Sequence, residues 1–193
     1  MGNEEQNKKE NIGGVKGIIR EAFSVLLYLA IVFVLTYLVV EFVGQRTVVS
    51  GSSMETTLTD GDNLIVDKLT YRFKEPERFD IIVFKFQHEE NTYYIKRIIG
   101  LPGETVQIDE DGTIFIDGNE LEENYGNEVM LDSGLAEEPF TLGEDEYFVL
   151  GDNRNGSCDS RDPSVAAVSE DWILGRAWVR IWPLSDFGIL KHQ

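Results

Sequence analysis

The chain has one cysteine, Cys158, so no intramolecular disulfide is possible and its folded part rests on a hydrophobic core. It has two histidines, His88 in the polar run 87–91 and His192 beside the C-terminus. Neither stands in a His/Cys/Asp cluster with metal-ligand spacing, which argues against a zinc site, structural or catalytic. With histidine so scarce, a Ser-His-Asp triad is also disfavoured. Basic residues are few: 17 Lys and Arg against 35 Asp and Glu give a formal charge of −18. Nucleic-acid affinity needs clustered cations on phosphate, so this balance argues against a general affinity for nucleic acid and disfavours a DNA-binding role. The acidity by itself reads as a solvated surface.

One early stretch of the chain lacks charge altogether. From Ala22 to Val40 nineteen residues carry none, and a helix of that length spans about 28 Å, close to the ~30 Å hydrocarbon thickness of a bilayer. A cleaved signal would have a shorter apolar region followed by a small-x-small site, whereas Phe42, Val43 and Gly44 follow here. A buried soluble helix would show a polar face, and this one offers only Ser24 and Thr36. Residues 21–43 are therefore expected to cross the membrane. Lys8, Lys9, Lys16 and Arg20 precede the span, and only Arg46 follows it before Lys68. That bias places the N-terminus in the cytoplasm and residues 44–193 outside. Residues 1–20 read as a cytosolic tail, with 1–14 disordered on composition.

Beyond the anchor, helical periodicity gives way to short β-branched and aromatic runs between turn signals. The runs are 63–66, 80–86, 92–99, 105–108, 113–116, 146–150 and 173–182. Asp60-Gly61, Asp111-Gly112 and Asp117-Gly118 supply the residue types that tolerate tight turns. The expected fold is mainly β: an N-terminal transmembrane helix followed by an antiparallel sheet or barrel-like domain, with 120–143 a long loop or irregular excursion.

Three segments carry chemistry. Ser50-Gly51-Ser52-Ser53-Met54 follows a short apolar stretch, and its glycine permits sharp backbone geometry with exposed amides. Taken alone, it fits an ordinary loop as well as a turn bearing a nucleophile. In the strand-like run Tyr93 to Ile99, alternation puts Tyr94, Lys96 and Ile98 on one face and Ile95, Arg97 and Ile99 on the other. An ammonium desolvated by apolar neighbours loses proton affinity and becomes a base, while a lysine on a sheet edge snorkels to water; both readings stand at this point. The loop Gly151 to Arg161 is dense in charged and hydrogen-bonding groups able to orient other side chains. It is no calcium loop, since Arg154 falls where an oxygen ligand belongs.

In this order after a transmembrane helix, the segments resemble the type I signal peptidases, the serine/lysine proteases of the bacterial membrane, and in particular the Gram-positive form. Ser53-Met54 with Thr57-Leu58 is similar to the nucleophile box, and Arg78-Phe79-Asp80 with 81–84 to the following strand. Tyr94 to Glu104 is similar to the lysine box and Gly151 to Arg161 to the last box. The resemblance covers about residues 47–182. It implies removal of signal peptides from exported preproteins, with Ser53 as nucleophile and Lys96 as general base. It implies that Ser157 orients the Lys96 amine and that Asp152, Arg97, Asp159 and Arg161 brace the site. It further implies that Met54, Leu58, Val83, Tyr94 and Ile95 line pockets for small side chains one and three residues before the cut. No cofactor or metal is implied; the partners are preproteins and the lipid bilayer. Two departures stand out: Thr56 replaces a usual proline, and Gly51 stands where some members carry an assisting serine, leaving the oxyanion to backbone N–H groups such as that of Ser53. A non-catalytic membrane-anchored homologue aiding export is the alternative, and it predicts loss of the nucleophile or the base. Both residues are present.

Overall fold

A computed structural model describes residues 2–126 and 128–190, which leaves Met1, Asn127 and 191–193, and with them His192, outside the described residues. The chain divides into two compact units, Met1–Val43 and Gly44–Gln193. The first is a single helix, α1 (Gly2–Phe42). Its segment Arg20–Val39 has a mean hydropathy of 2.5 and has no residue buried within the protein. By length and composition it can cross a membrane, and it is the one such helix among the described residues. The stretch 1–14, expected to be disordered, is helical from Gly2 onward. Its Glu, Gln and Lys are good helix formers, and extending an existing helix avoids the cost of nucleating one.

Among the described residues the second unit has twelve strands: β1 (Gly44–Val48), β2 (Asn63–Asp67), β3 (Ile81–Lys85), β4 (Tyr93–Gly100), β5 (Thr105–Ile108), β6 (Ile114–Ile116), β7 (Asn119–Glu120), β8 (Phe140–Thr141), β9 (Glu146–Leu150), β10 (Val168–Ser169), β11 (Ile173–Trp182) and β12 (Gly188–Ile189). They form an eight-stranded sheet in the order β1-β2-β11-β3-β4-β9-β10, with β12 on β11, and a four-stranded sheet in the order β7-β6-β5-β8. Every pairing is antiparallel. The mainly β, antiparallel expectation holds, as two sheets whose strand orders run from edge to edge. All seven runs read from the sequence are strands. At the β6–β7 hairpin, Asp117 and Gly118 both have positive φ, at 51° and 78°, as a two-residue turn of matching twist demands.

Alternation along β4 feeds different cores. Ile98 packs with Ile82, Phe84, Tyr147 and Val149, while Ile99 packs with Val106, Ile108, Phe148 and Leu150. A third cluster, of Val49, Met54, Leu58, Leu64, Ile81, Ala177 and Leu190, lies under the turn that carries Ser53. Within the expected excursion the chain is irregular yet anchored: Met130 and Ala136 are buried, and β8 pairs with β5.

A close junction between the two sheets lies at Gly100, where an added Cβ would be 2.6 Å from Val106 Cγ2, 2.9 Å from Leu142 Cδ1 and 3.0 Å from Phe148 Cβ. These three side chains are buried in one packed cluster with little room to move aside, and overpacking of this kind costs about 1–3 kcal/mol. Gly100→Ala is therefore expected to lower the urea midpoint of the detergent-solubilised chain; an unchanged midpoint would contradict this packing.

Candidate active site

The turn bearing Ser53 leaves β1 and returns to β2, and it is closed by Val49 N–H on Asp62 O at 2.8 Å and Gly61 N–H on Val49 O at 3.0 Å. Gly51 has φ +94°, a conformation side chains resist, and its N–H donates to Asp60 Oδ1 at 2.8 Å. Residues 52–58 then coil tightly, with Leu58 N–H on Met54 O at 2.8 Å. Thr56, the residue in place of the usual proline, follows a cis peptide bond.

Lys96 projects toward this turn from β4, opposite Ile82 of β3. Its Nζ lies 2.8 Å from Ser53 Oγ and 3.0 Å from Ile95 O. Lys96 is only 4% exposed, and burial draws its pKa down from 10.5 to about 8, against the opposing pull of Asp159, Cys158 and Asp152. The edge-lysine reading is thereby ruled out by geometry: this amine is inside, on a serine hydroxyl, with the ring of Tyr94 5.1 Å from Nζ. With the amine neutral, its lone pair is free to accept the serine proton.

Around the pair stand two buried arginine–carboxylate clamps. Arg97, on the other face of β4, binds Asp152 through two parallel bonds, Nε–Oδ1 at 2.8 Å and Nη2–Oδ2 at 2.7 Å. The same carboxylate accepts a bond from the Thr57 hydroxyl, and Asn153, one residue on, donates from its backbone to Ser53 O at 3.1 Å and from its side chain to Ser52 O at 3.1 Å. The second clamp joins Arg161 to Asp159, at 2.8 and 2.9 Å, and Asp159 also accepts the N–H of Gly151. Both pairs are nearly free of solvent, so each carboxylate's lone pairs must be satisfied from within, and they are.

Gly151 is fixed by close approach. A Cβ there would meet Ser157 Oγ at 2.2 Å and Ser53 O at 2.4 Å. The Ser157 hydroxyl is buried in this crevice but makes no hydrogen bond, whether to Lys96 or to another group. Of the five residues expected to line pockets, Val83, Tyr94 and Ile95 border a cleft of about 310 Å³ together with Ser53 and Lys96. Met54 and Leu58 do not border that cleft; they are 1% and 0% exposed, in the core beneath it. Sequence reasoning passed over Asn153 as an individual residue, although it lies inside the last box. It also passed over Cys158 as part of the cleft wall. Among the described residues no three of His, Cys, Asp and Glu converge as metal ligands.

Known proteins similar to this chain share one description. The family model described as signal peptidase, peptidase S26 matches residues 20–182. A probable signal peptidase I-2 of Synechocystis is 39% identical over 79% of this chain and 69% of its own. The signal peptidase I of Leptolyngbya laminosa is 42% identical over 77% of this chain and 74% of its own. Signal peptidase IB of Staphylococcus aureus is 30% identical over 90% and 95%, respectively. Among solved structures, a signal peptidase I of Enterococcus faecalis aligns with 53% of this chain and 97% of its own, at 38% identity and a TM-score of 0.44. The chain thus belongs to the signal peptidase family, peptidase S26, serine endopeptidases that remove signal peptides.

Proposed function

We propose that Ser53 and Lys96 are the dyad with which this chain cuts signal peptides from exported preproteins. The observation that carries the reading is the 2.8 Å contact between the Ser53 hydroxyl and a buried amine. In the first step Lys96 Nζ takes the hydroxyl proton while Oγ bonds to the scissile carbonyl carbon. The oxyanion that forms is held by backbone N–H groups, that of Ser53 foremost, since Gly51 supplies no hydroxyl. Collapse of the tetrahedral species breaks the C–N bond, and the Lys96 ammonium gives its proton to the leaving amine. A water that loses its proton to Lys96 then hydrolyses the ester, restoring Ser53.

Arg97–Asp152 and Arg161–Asp159 brace the loops on either side of the dyad, and the buried, unpaired Ser157 hydroxyl lies beside Ser53 as a partner for the Lys96 amine once substrate enters. Val83, Tyr94 and Ile95 form the walls that favour small residues one and three positions before the cut. The apolar part of α1 crosses the bilayer once, with the basic residues Lys8, Lys9, Lys16 and Arg20 at its N-terminal end on the cytoplasmic side and the domain from Gly44 on the outer side. Signal sequences are themselves embedded in the membrane, so an anchored protease meets its substrate in two dimensions at raised effective concentration.

Two outcomes are expected of the detergent-solubilised chain with a preprotein substrate. Ser53→Ala and Lys96→Ala each lower kcat by at least about 10³-fold, the scale on which nucleophile and base act as a unit; cleavage near the wild-type rate in either variant would sink the dyad. The active form of Lys96 is the neutral one, so kcat/KM is lost on acidification and rises with pH through a midpoint of about 8. A profile flat between pH 6 and 10 would count against a lysine base.

A further inference from the structure

Residues 121–126, in the excursion whose sequence carries no pattern, lie over the ion pairs of the site. The Arg97 guanidinium lies over the Tyr125 ring, with Cζ 3.6 Å from its centroid, and the ring packs on Phe79 at 5.1 Å between centroids. Two residues earlier, Glu123 grips Arg154 with two bonds of 2.7 and 2.8 Å and accepts the N–H of Tyr125 at 2.9 Å. Arg154 in turn donates to Gly151 O at 3.1 Å. Gly126 passes so near that a Cβ would lie 3.1 Å from Arg154 Cγ. Asn155 adds a further tie, accepting from Leu131 N–H and donating to Val129 O, each at 3.0 Å.

We propose that Tyr125, seated by Glu123, is a positioning residue: its ring seals the Arg97–Asp152 pair from water and thereby holds the turn that carries Ser53. The path is short. Arg97 binds Asp152, Asp152 accepts from Thr57 on the 52–58 turn, and the adjoining Asn153 N–H holds Ser53 O. Arg97 is 1% exposed, and its planar face, which forms no hydrogen bonds, is the side an aromatic ring can cover. Without the ring, water would reach that face, raise the local dielectric and weaken the clamp that fixes Thr57 and Asn153. The Tyr125 hydroxyl is buried without a partner, so the ring face, and not the hydroxyl, is what fixes this residue. A phenylalanine therefore serves equally well and an aliphatic side chain does not.

The inference rests on Ser53 being the nucleophile, but it fails separately: full activity of Ser53→Ala would sink the dyad, whereas full activity of Tyr125→Leu would sink only the positioning role of Tyr125. The test measures kcat and KM of the full chain in detergent on a signal-peptide substrate, below each variant's melting temperature. Tyr125→Phe is expected within twofold of wild type in both constants. Tyr125→Leu is expected to lose at least tenfold in kcat with KM within twofold, because the nucleophile is misplaced while the cleft is intact. Wild-type kcat in Tyr125→Leu, an equal loss in Tyr125→Phe, or a defect confined to KM would each overturn the proposal. Should Tyr125→Leu not fold, Glu123→Gln, which keeps shape and loses charge, is expected to lower kcat at least threefold, and wild-type kcat there would overturn it as well.

Discussion

The site depends on one unfavourable placement, a lysine amine held in a nearly dry pocket against a serine hydroxyl. In water an ammonium is a poor base at neutral pH; burial makes the neutral amine accessible there. The same burial opposes folding. Below pH about 8 Lys96 is charged in folded and unfolded chains alike, and the fold bears the full cost of desolvating it. That cost fades as pH rises from about 8 toward 10.5, where the unfolded chain also gives up its proton. Stability and reactivity thus pull on one residue in opposite directions, and the surrounding structure has to absorb the difference.

It does so through rigid packing on both sides of β4. One face lays Tyr94 and Ile98 beside Lys96; the other commits Arg97 to Asp152 in a two-bond clamp of 1% exposure at each partner. A buried ion pair is a poor source of net stability, but removing one partner is severe, so such a pair resists rearrangement. Here it ties the 52–58 turn to the loop after β9. The 2.8 Å contact between Lys96 and Ser53 is set by elements 43 residues apart in sequence, and it is kept by neighbours that cannot move independently.

Much of this was legible in the residues. Alternation in Tyr93 to Ile99 assigned the faces of β4, and the Asp-Gly pairs marked real turns. Strands β1, β7, β8, β10 and β12 were not legible. Four of them are two residues long and exist only through their pairing partners, and β1, Gly-Gln-Arg-Thr-Val, is too polar to announce itself. Apolar character could not separate Met54 and Leu58, which went to the core, from Val83 and Ile95, which reached the cleft. The contact of Tyr125 with Arg97 had no local signal at all, because a loop's tertiary course decides which cation an aromatic ring meets. Ser53 and Lys96 were ambiguous singly and informative only as a set with the last box.

The central claim is that burial, and not the reaction, makes Lys96 a base, so it is tested by titrating that amine directly. With lysine labelled at Cε and followed by NMR in the detergent-solubilised Ser53→Ala chain, and the Lys96 signal identified by its loss in Lys96→Met, the account predicts a midpoint near pH 8, well below that of the other lysines. A Lys96 that titrates at about 10.4, as a free side chain does, would contradict it.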